Sequence, residues 1–238
     1  MSVLVVTGTG TEVGKTVTTA AVAAVAARAG RSVAVLKPAQ TGVAPGEPGD
    51  VDEVVRLAGD AVTGVELARY PEPLAPGTAA ARAGLAPVRP WQVAEAVGKL
   101  TASHDLVLVE GAGGLLVRFD EEGATLADVA RLLGAPVLVV AAAGLGTLNS
   151  VQLTGEALRS RGLHQAGVVI GSWPRDPGLA ERCNVVDLPV VAGAELVGAV
   201  PAGAGSVSPG AFRGGAEGWL GPELGGVWKG VPAGVGSG

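Results

Sequence analysis

The sequence predicts an α/β protein with one doubly wound, mainly parallel sheet flanked by helices, and three observations carry that reading. Short apolar, β-branched runs recur near residues 3–6, 33–36, 104–110, 136–142, 166–171 and 197–201, the composition of strands buried on both faces. Helix-prone segments with short links separate them, as parallel strands require. The first run leads directly into Thr7-Gly8-Thr9-Gly10-Thr11-Glu12-Val13-Gly14-Lys15-Thr16 and then an Ala/Val-rich helix. Strand, Gly-rich loop closing on Gly-Lys-Thr, helix is the setting of a phosphate-binding loop, so the fold is expected to be P-loop NTPase-like.

The residue types in that loop follow from phosphate chemistry. Glycines leave backbone N–H groups free to converge on phosphate oxygens, and the next helix adds its dipole. Residues Gly10, Thr11, Glu12, Val13, Gly14, Lys15, Thr16 and Val17 form the expected nucleotide-binding set. Lys15 faces the β- and γ-phosphates, and Thr16 offers a hydroxyl to Mg²⁺. The loop departs from the strict pattern at one point: Thr9 stands where Gly is usual, with glycines on either side.

Composition bounds the rest. At 238 residues and 48% hydrophobic content the chain can bury the core of one α/β domain, and scarce aromatics suit tight Ala/Val packing. A formal charge of −5 without any Lys/Arg run argues against nucleic acid as a partner. A single cysteine, Cys183, excludes a disulfide framework and an all-cysteine zinc site; a buried or idle thiol is expected. No targeting segment or membrane span is expected, which points to a soluble, cytoplasmic protein.

In chain order, residues 16–29 are alanine-dominated and end at Gly30, a C-cap residue. The strand at 33–36 delivers Lys37 to the crevice at its C-terminal end, with Pro38 expected to stop the ladder. Residues 40–49 read as loop and Asp50 opens a helix to about Ala58. Residues 70–90, with Pro71, Pro73, Pro76, Pro87 and Pro90, read as a long ordered loop with at most a short helix, placed to cover a substrate. Residues 91–103 form a helix with Val93, Ala96, Val97 and Leu100 on one face.

The strand at 104–110 ends in Glu110 and is followed by Gly111-Ala112-Gly113-Gly114, an acidic strand end beside a second glycine loop. A short strand at 115–117, a helix at 125–133 and a helix at about 147–161 follow. One docking helix at 212–220 is expected within a C-terminal extension, 206–228, packed on the 1–205 domain. Residues 229–238 are expected to be a flexible tail. Trp91, Trp219 and Trp228 read as packing anchors, and His104 and His164 as surface residues.

In a parallel sheet the C-terminal strand ends share one edge, so Lys15, Thr16, Lys37, Thr41, Asp50 and Glu110 can meet there. Two lysines and carboxylates around a phosphate loop suit ATP-dependent activation of an anionic oxygen acceptor. A second crevice lysine implies a second negative group to hold. Asp52 competes with Asp50 as the carboxylate of that helix start.

At this point the sequence resembles the dethiobiotin synthetase family, over about residues 2–205. The matching stretches are GTGTEVGKT (8–16), KPAQTG (37–42), the Asp50 loop, PLAPGTAA (73–80), VEGAGG (109–114), GTLNSV (146–151) and LVGAVP (196–201). The resemblance implies a homodimeric P-loop enzyme that closes the ureido ring of dethiobiotin from 7,8-diaminopelargonic acid, CO₂ and ATP. By the same resemblance Lys15, Lys37 and Thr11 are catalytic, with Lys37 on the carbamate and Lys15 on the transferring phosphoryl group. Thr41 joins Thr11 in hydrogen-bonding the carbamate or that phosphoryl group, and Thr16, Asp50 and Glu110 hold magnesium. Gly111, Ala112, Gly113 and Gly114 lie near the diamine or phosphates. Gly146, Thr147, Leu148 and Asn149 match a segment that reaches the partner subunit's substrate and caps its carboxylate.

The family's adenine-reading Asn has no counterpart, since Ser172-Trp173-Pro174 follow the strand at 166–171. Two other readings remain open from sequence. Partitioning-type switch ATPases share the fold but carry an extra lysine where Thr9 stands. Cobyrinate diamide synthase-like amidoligases add a glutaminase domain.

Overall fold

The structure, a computed structural model, describes residues 2–230. Its single sheet has the order β3-β2-β4-β1-β5-β6-β7. The strands are β1 (Val3–Gly8), β2 (Val33–Thr41), β3 (Val62–Tyr70), β4 (Leu106–Gly114), β5 (Val137–Ala141), β6 (Gln165–Trp173) and β7 (Leu196–Pro201). Every pairing between them is parallel. The helices are α1 (Lys15–Arg28), α2 (Asp50–Ala58), α3 (Pro76–Ala83), α4 (Pro90–Thr101), α5 (Leu126–Leu133), α6 (Thr147–Arg159), α7 (Leu179–Ala192) and α8 (Pro209–Gly215).

Strand alternation divides the apolar residues between the two faces. Val5, Ala34, Leu36, Val107 and Val109 join one core with Val93 and Val97 of α4, Val129 of α5, Val151 of α6 and Leu188 of α7. Leu4, Val33, Val35, Leu106 and Leu108 join the other, against Ala20 to Ala26 of α1, Val54 and Leu57 of α2 and Phe212 of α8. The alanines of α1 let that helix lie close to the sheet. Phe212, Ala216, Leu220 and Leu224 are buried in the second core, and Phe212 meets Trp219 edge-on at 5.1 Å. Continuing the alternation, Lys37 follows Val33 and Val35, and Glu110 follows Leu106 and Leu108. Both side chains therefore fall on the face covered by α1 and α2.

Several expectations are corrected. Pro38 does not stop β2, which continues to Thr41. Pairing with β4 ends at Leu36, and the β3 register passes from Lys37 to Ala39, so no ladder bond needs the missing N–H. The expected strand at 115–117 is a turn, with the Val117 N–H donating to Gly114 O at 3.3 Å. Strand β3 and helix α7 occupy stretches to which the sequence assigned no element. Trp91 is 61% exposed rather than a packing anchor, and Cys183 is exposed and free. The tail expected at 229–238 falls almost wholly outside the described residues.

Candidate active site

The phosphate loop is built by close backbone approach. Gly14 has φ 92°, and a Cβ placed on it would come 2.3 Å from the Gly171 carbonyl oxygen, so only glycine joins this loop to β6. Gly8 supplies the other approach: its Cβ would meet Gly10 O at 2.6 Å. Thr9 has a different task, donating its N–H to Val140 O at 2.9 Å on β5, so the loop tolerates it. Glu12 sits at φ 57°, the one described non-glycine residue in that region, which stores backbone strain at the loop tip. Helix α1 starts at Lys15 with no capping side chain and no acidic residue in its first turn, leaving N–H groups for an anion.

Lys15 is buried and its Nζ donates to Gly10 O at 2.9 Å, folding back over the loop. Burial, then the neighbouring Lys37, pulls its pKa below the ordinary lysine value, and Glu110 and Asp50 offset part of this. Lys37 is 3% exposed and reaches three acceptors: Asp50 Oδ2 at 2.5 Å, Glu110 Oε1 at 3.0 Å and Gly111 O at 3.0 Å. Burial acts to lower its pKa, but the two carboxylates outweigh burial and hold it above the usual lysine range. Thr16 closes the cluster, its hydroxyl donating to Glu110 Oε1 at 2.9 Å.

The two aspartates at the start of α2 have different surroundings. Asp50 reaches Lys37, and its own N–H donates to Gln40 Oε1 at 2.8 Å, which fixes the start of α2. Asp52 turns back to accept the Gly49 N–H at 2.7 Å and is 60% exposed. It caps its own helix. The spacing of Gly49 and Asp52 is that of a helix cap, a signal available in the sequence. Gln40 lies within the KPAQTG stretch (37–42), yet nothing in the sequence marks it with a role, because its acceptor task depends on the fold bringing the start of α2 beside β2.

The donor set fits a hard divalent cation. Glu110 Oε2 is buried with no hydrogen-bond partner among the described residues, while Thr16 and Asp50 bring further oxygens to the same cluster. Mg²⁺ takes one or two carboxylates and keeps waters, so a cluster smaller than three acidic ligands suits it.

Lys15, Thr16, Lys37, Gln40 and Asp50 line a cleft of about 920 Å³ together with Thr11, Glu12, Gly14, Val17, Thr41, Ala112 and Gly113, while Glu110 lies buried behind them, bonded to Thr16 and Lys37. The apolar part of its lining is Val43, Pro73, Leu74, Ala75, Pro76 and Val117. Gly111 is buried against Leu126 and reaches the cluster through its carbonyl, and Gly114 lies beside Gly8. Gly146 to Asn149 are elsewhere: they open α6, with Thr147 buried and Leu145 beside them 94% exposed.

Solved structures share the fold at low identity. The MinC:MinD cell division protein complex of Aquifex aeolicus matches with TM-score 0.54 and 16% identity, over 84% of this chain and 81% of that one. The kinase domain of the Escherichia coli tyrosine kinase ETK gives 0.51 and 20%, over 75% and 70%. Both establish a P-loop fold and leave the chemistry open. The relatives are more specific. ATP-dependent dethiobiotin synthetase of Streptomyces avermitilis is 74% identical over 228 residues, covering 96% of this chain and 95% of that protein. The Streptomyces coelicolor protein of the same name is 70% identical over the same shares. This chain belongs to the dethiobiotin synthetase family. An AAA-domain family model matches residues 2–209, so its match includes the loop, both lysines and Glu110. Family membership places this chain among ATP-dependent ligases forming C–N bonds, and separates it from the switch ATPases that its fold resembles.

Proposed function

We propose that this protein closes the ureido ring of dethiobiotin from 7,8-diaminopelargonic acid, CO₂ and ATP, releasing ADP and phosphate, in the biotin biosynthesis of the cytoplasm. The observation that carries the site assignment is the buried Lys37, held between Glu110 and Asp50 at the mouth of the phosphate loop. One amine of the substrate adds to CO₂ and loses a proton, giving a carbamate. A carbamate oxygen then bonds to the γ-phosphorus as the bond to ADP breaks. The second amine attacks the carbonyl carbon of that mixed anhydride, phosphate leaves, and the amine proton is lost.

Little here asks for a protein nucleophile; positioning and charge stabilisation carry it. Lys15 leaves the Gly10 carbonyl for the phosphates and the transferring group. Lys37 holds the carbamate and its phosphorylated form, and Thr11 and Thr41 hydrogen-bond the same oxygens. Thr16, Asp50 and Glu110 would hold Mg²⁺, which when bound neutralises phosphate charge. The apolar lining from Val43 to Val117 accommodates the alkyl chain.

A homodimer completes the site in this reading. Leu145, Leu153, Leu179, Val186 and Val190 are 57–94% exposed along α6, α7 and the loop before them, a surface a lone subunit would leave wet. It adjoins Gly146 to Asn149, whose helix N-terminus is suited to the partner's substrate carboxylate. No helix among the described residues is long and apolar enough to cross a membrane.

Phosphate release measured with each substrate omitted in turn tests the assignment. Turnover is expected only with both diamine and bicarbonate present. Lys37→Gln should lower kcat by about 10²–10³-fold, the scale of losing one charge-stabilising donor, while ATP still binds. Turnover indifferent to the diamine contradicts the reading.

A further inference from the structure

One buried amide lies outside the machinery described so far. Asn184 of α7 is 5% exposed, and its Nδ2 donates to two successive carbonyls, Ala143 O at 2.8 Å and Gly144 O at 3.0 Å. Those carbonyls belong to the loop between β5 and α6. A trans peptide sets its C=O and N–H in opposite directions. With both carbonyls drawn onto α7, the N–H groups of Gly144 and Leu145 are turned away from it.

Neither N–H has a hydrogen-bond partner among the described residues. Gly146, at φ 91°, then carries the chain into α6, which has no side-chain cap and no acidic residue in its first turn. Thr147, the first residue of α6, is 3% exposed and its hydroxyl has no partner among the described residues. Consecutive free N–H groups ahead of an uncapped helix N-terminus suit an anion, and the unpartnered Thr147 hydroxyl lies in the first turn of the same helix. Asn184 is what fixes the first two of those donors.

We infer that Asn184 is a positioning residue for the substrate carboxylate, resting on the ring-closure reading above. Its amide holds residues 143–146 so that the Gly144 and Leu145 N–H groups and the first turn of α6 face that carboxylate. An apolar side chain at 184 frees both carbonyls, and the loop loses its orientation. Aspartate is a sharper change, because a carboxylate offers the two carbonyl oxygens no hydrogen and repels them.

The test compares diaminopelargonate with 2,3-diaminononane, the same diamine carrying a methyl in place of the carboxylate. In Asn184→Ala the KM for diaminopelargonate should rise about tenfold, the cost of losing hydrogen bonds to a charged group. The KM for ATP should stay within about twofold, the scatter of a distant site. Asn184→Asp should be at least as impaired as the alanine variant. With 2,3-diaminononane, wild type and Asn184→Ala should have equal kcat/KM. Equal losses on both diamines, or an unchanged KM for diaminopelargonate, overturn the assignment while leaving the enzyme's function standing. A wild type that ignores both diamines removes the ring-closure reading and this inference together.

Discussion

Lys37 and Glu110 face each other across the β2–β4 seam with Nζ and Oε1 3.0 Å apart, both almost wholly buried. The register dictates the meeting. Leu36 pairs with Val109, so the next residue of each parallel strand is the charged one. A buried ion pair is a poor stabiliser, because desolvating both charges costs about as much as their attraction returns. Placed beside a phosphate loop, with Glu110 Oε2 unpartnered among the described residues, the pair is better suited to binding than to stabilising the fold.

The first prediction separates the acidic residues. Glu110→Gln and Asp50→Asn should each raise the Mg²⁺ concentration for half-maximal activity by about tenfold or more, the effect of losing a ligand or its orienting partner. Asp52→Asn should leave that concentration unchanged and lower thermal stability slightly, since a helix cap contributes about 1 kcal/mol. A magnesium titration of the three variants, with melting curves, checks this. An Asp52 variant as magnesium-dependent as the Asp50 one contradicts the assignment.

This division shows how far the sequence reaches. The phosphate loop, Lys37 and Glu110 were legible because each interrupts a doubly buried apolar run with a charged or Gly-rich residue, although β2 and β4 run on past the two charged residues to Thr41 and Gly114. Strand β3 was not, because it is the sheet edge: it pairs only with β2, and Glu66 and Arg69 bind each other at its surface. Helix α7 buries Asn184, Leu188 and Ala192 while exposing Leu179, Val186 and Val190, and contains Pro189, so no apolar stripe announces it. Asn184 lies in that irregular helix, and its two acceptors are backbone atoms 40 and 41 residues away, which leave no trace in composition.

Lys15 sets a pH limit. Its pKa is lowered, chiefly by burial and then by Lys37, and only its ammonium form attracts phosphate. Raising the pH through that lowered value strips the proton, so ATP affinity should fall starting below the ordinary lysine value of about 10.4. Binding in that window takes up a proton, because the phosphates favour the charged form. Calorimetric titration in buffers of different ionisation enthalpy reads the uptake directly. Affinity flat up to the unperturbed lysine range contradicts it.

The exposed α6–α7 surface predicts the oligomeric state. Sedimentation should give a dimer for the wild type, and Leu145→Asp with Val190→Asp should shift it toward monomer while the circular dichroism spectrum is kept. Substrate turnover should fall with dissociation, because Gly146 to Asn149 would then serve no partner. A monomeric wild type with full activity contradicts shared sites.

The most direct measurement follows oxygen. Carbamate attack on the γ-phosphorus carries one carbamate oxygen into phosphate when the ring closes. In a short incubation with ¹⁸O-labelled bicarbonate, ATP and diaminopelargonate, the released phosphate should contain one labelled oxygen for each ring formed. Unlabelled phosphate accompanying ring formation would mean that the carbamate never receives the phosphoryl group, and that the site built around Lys15 and Lys37 does something else.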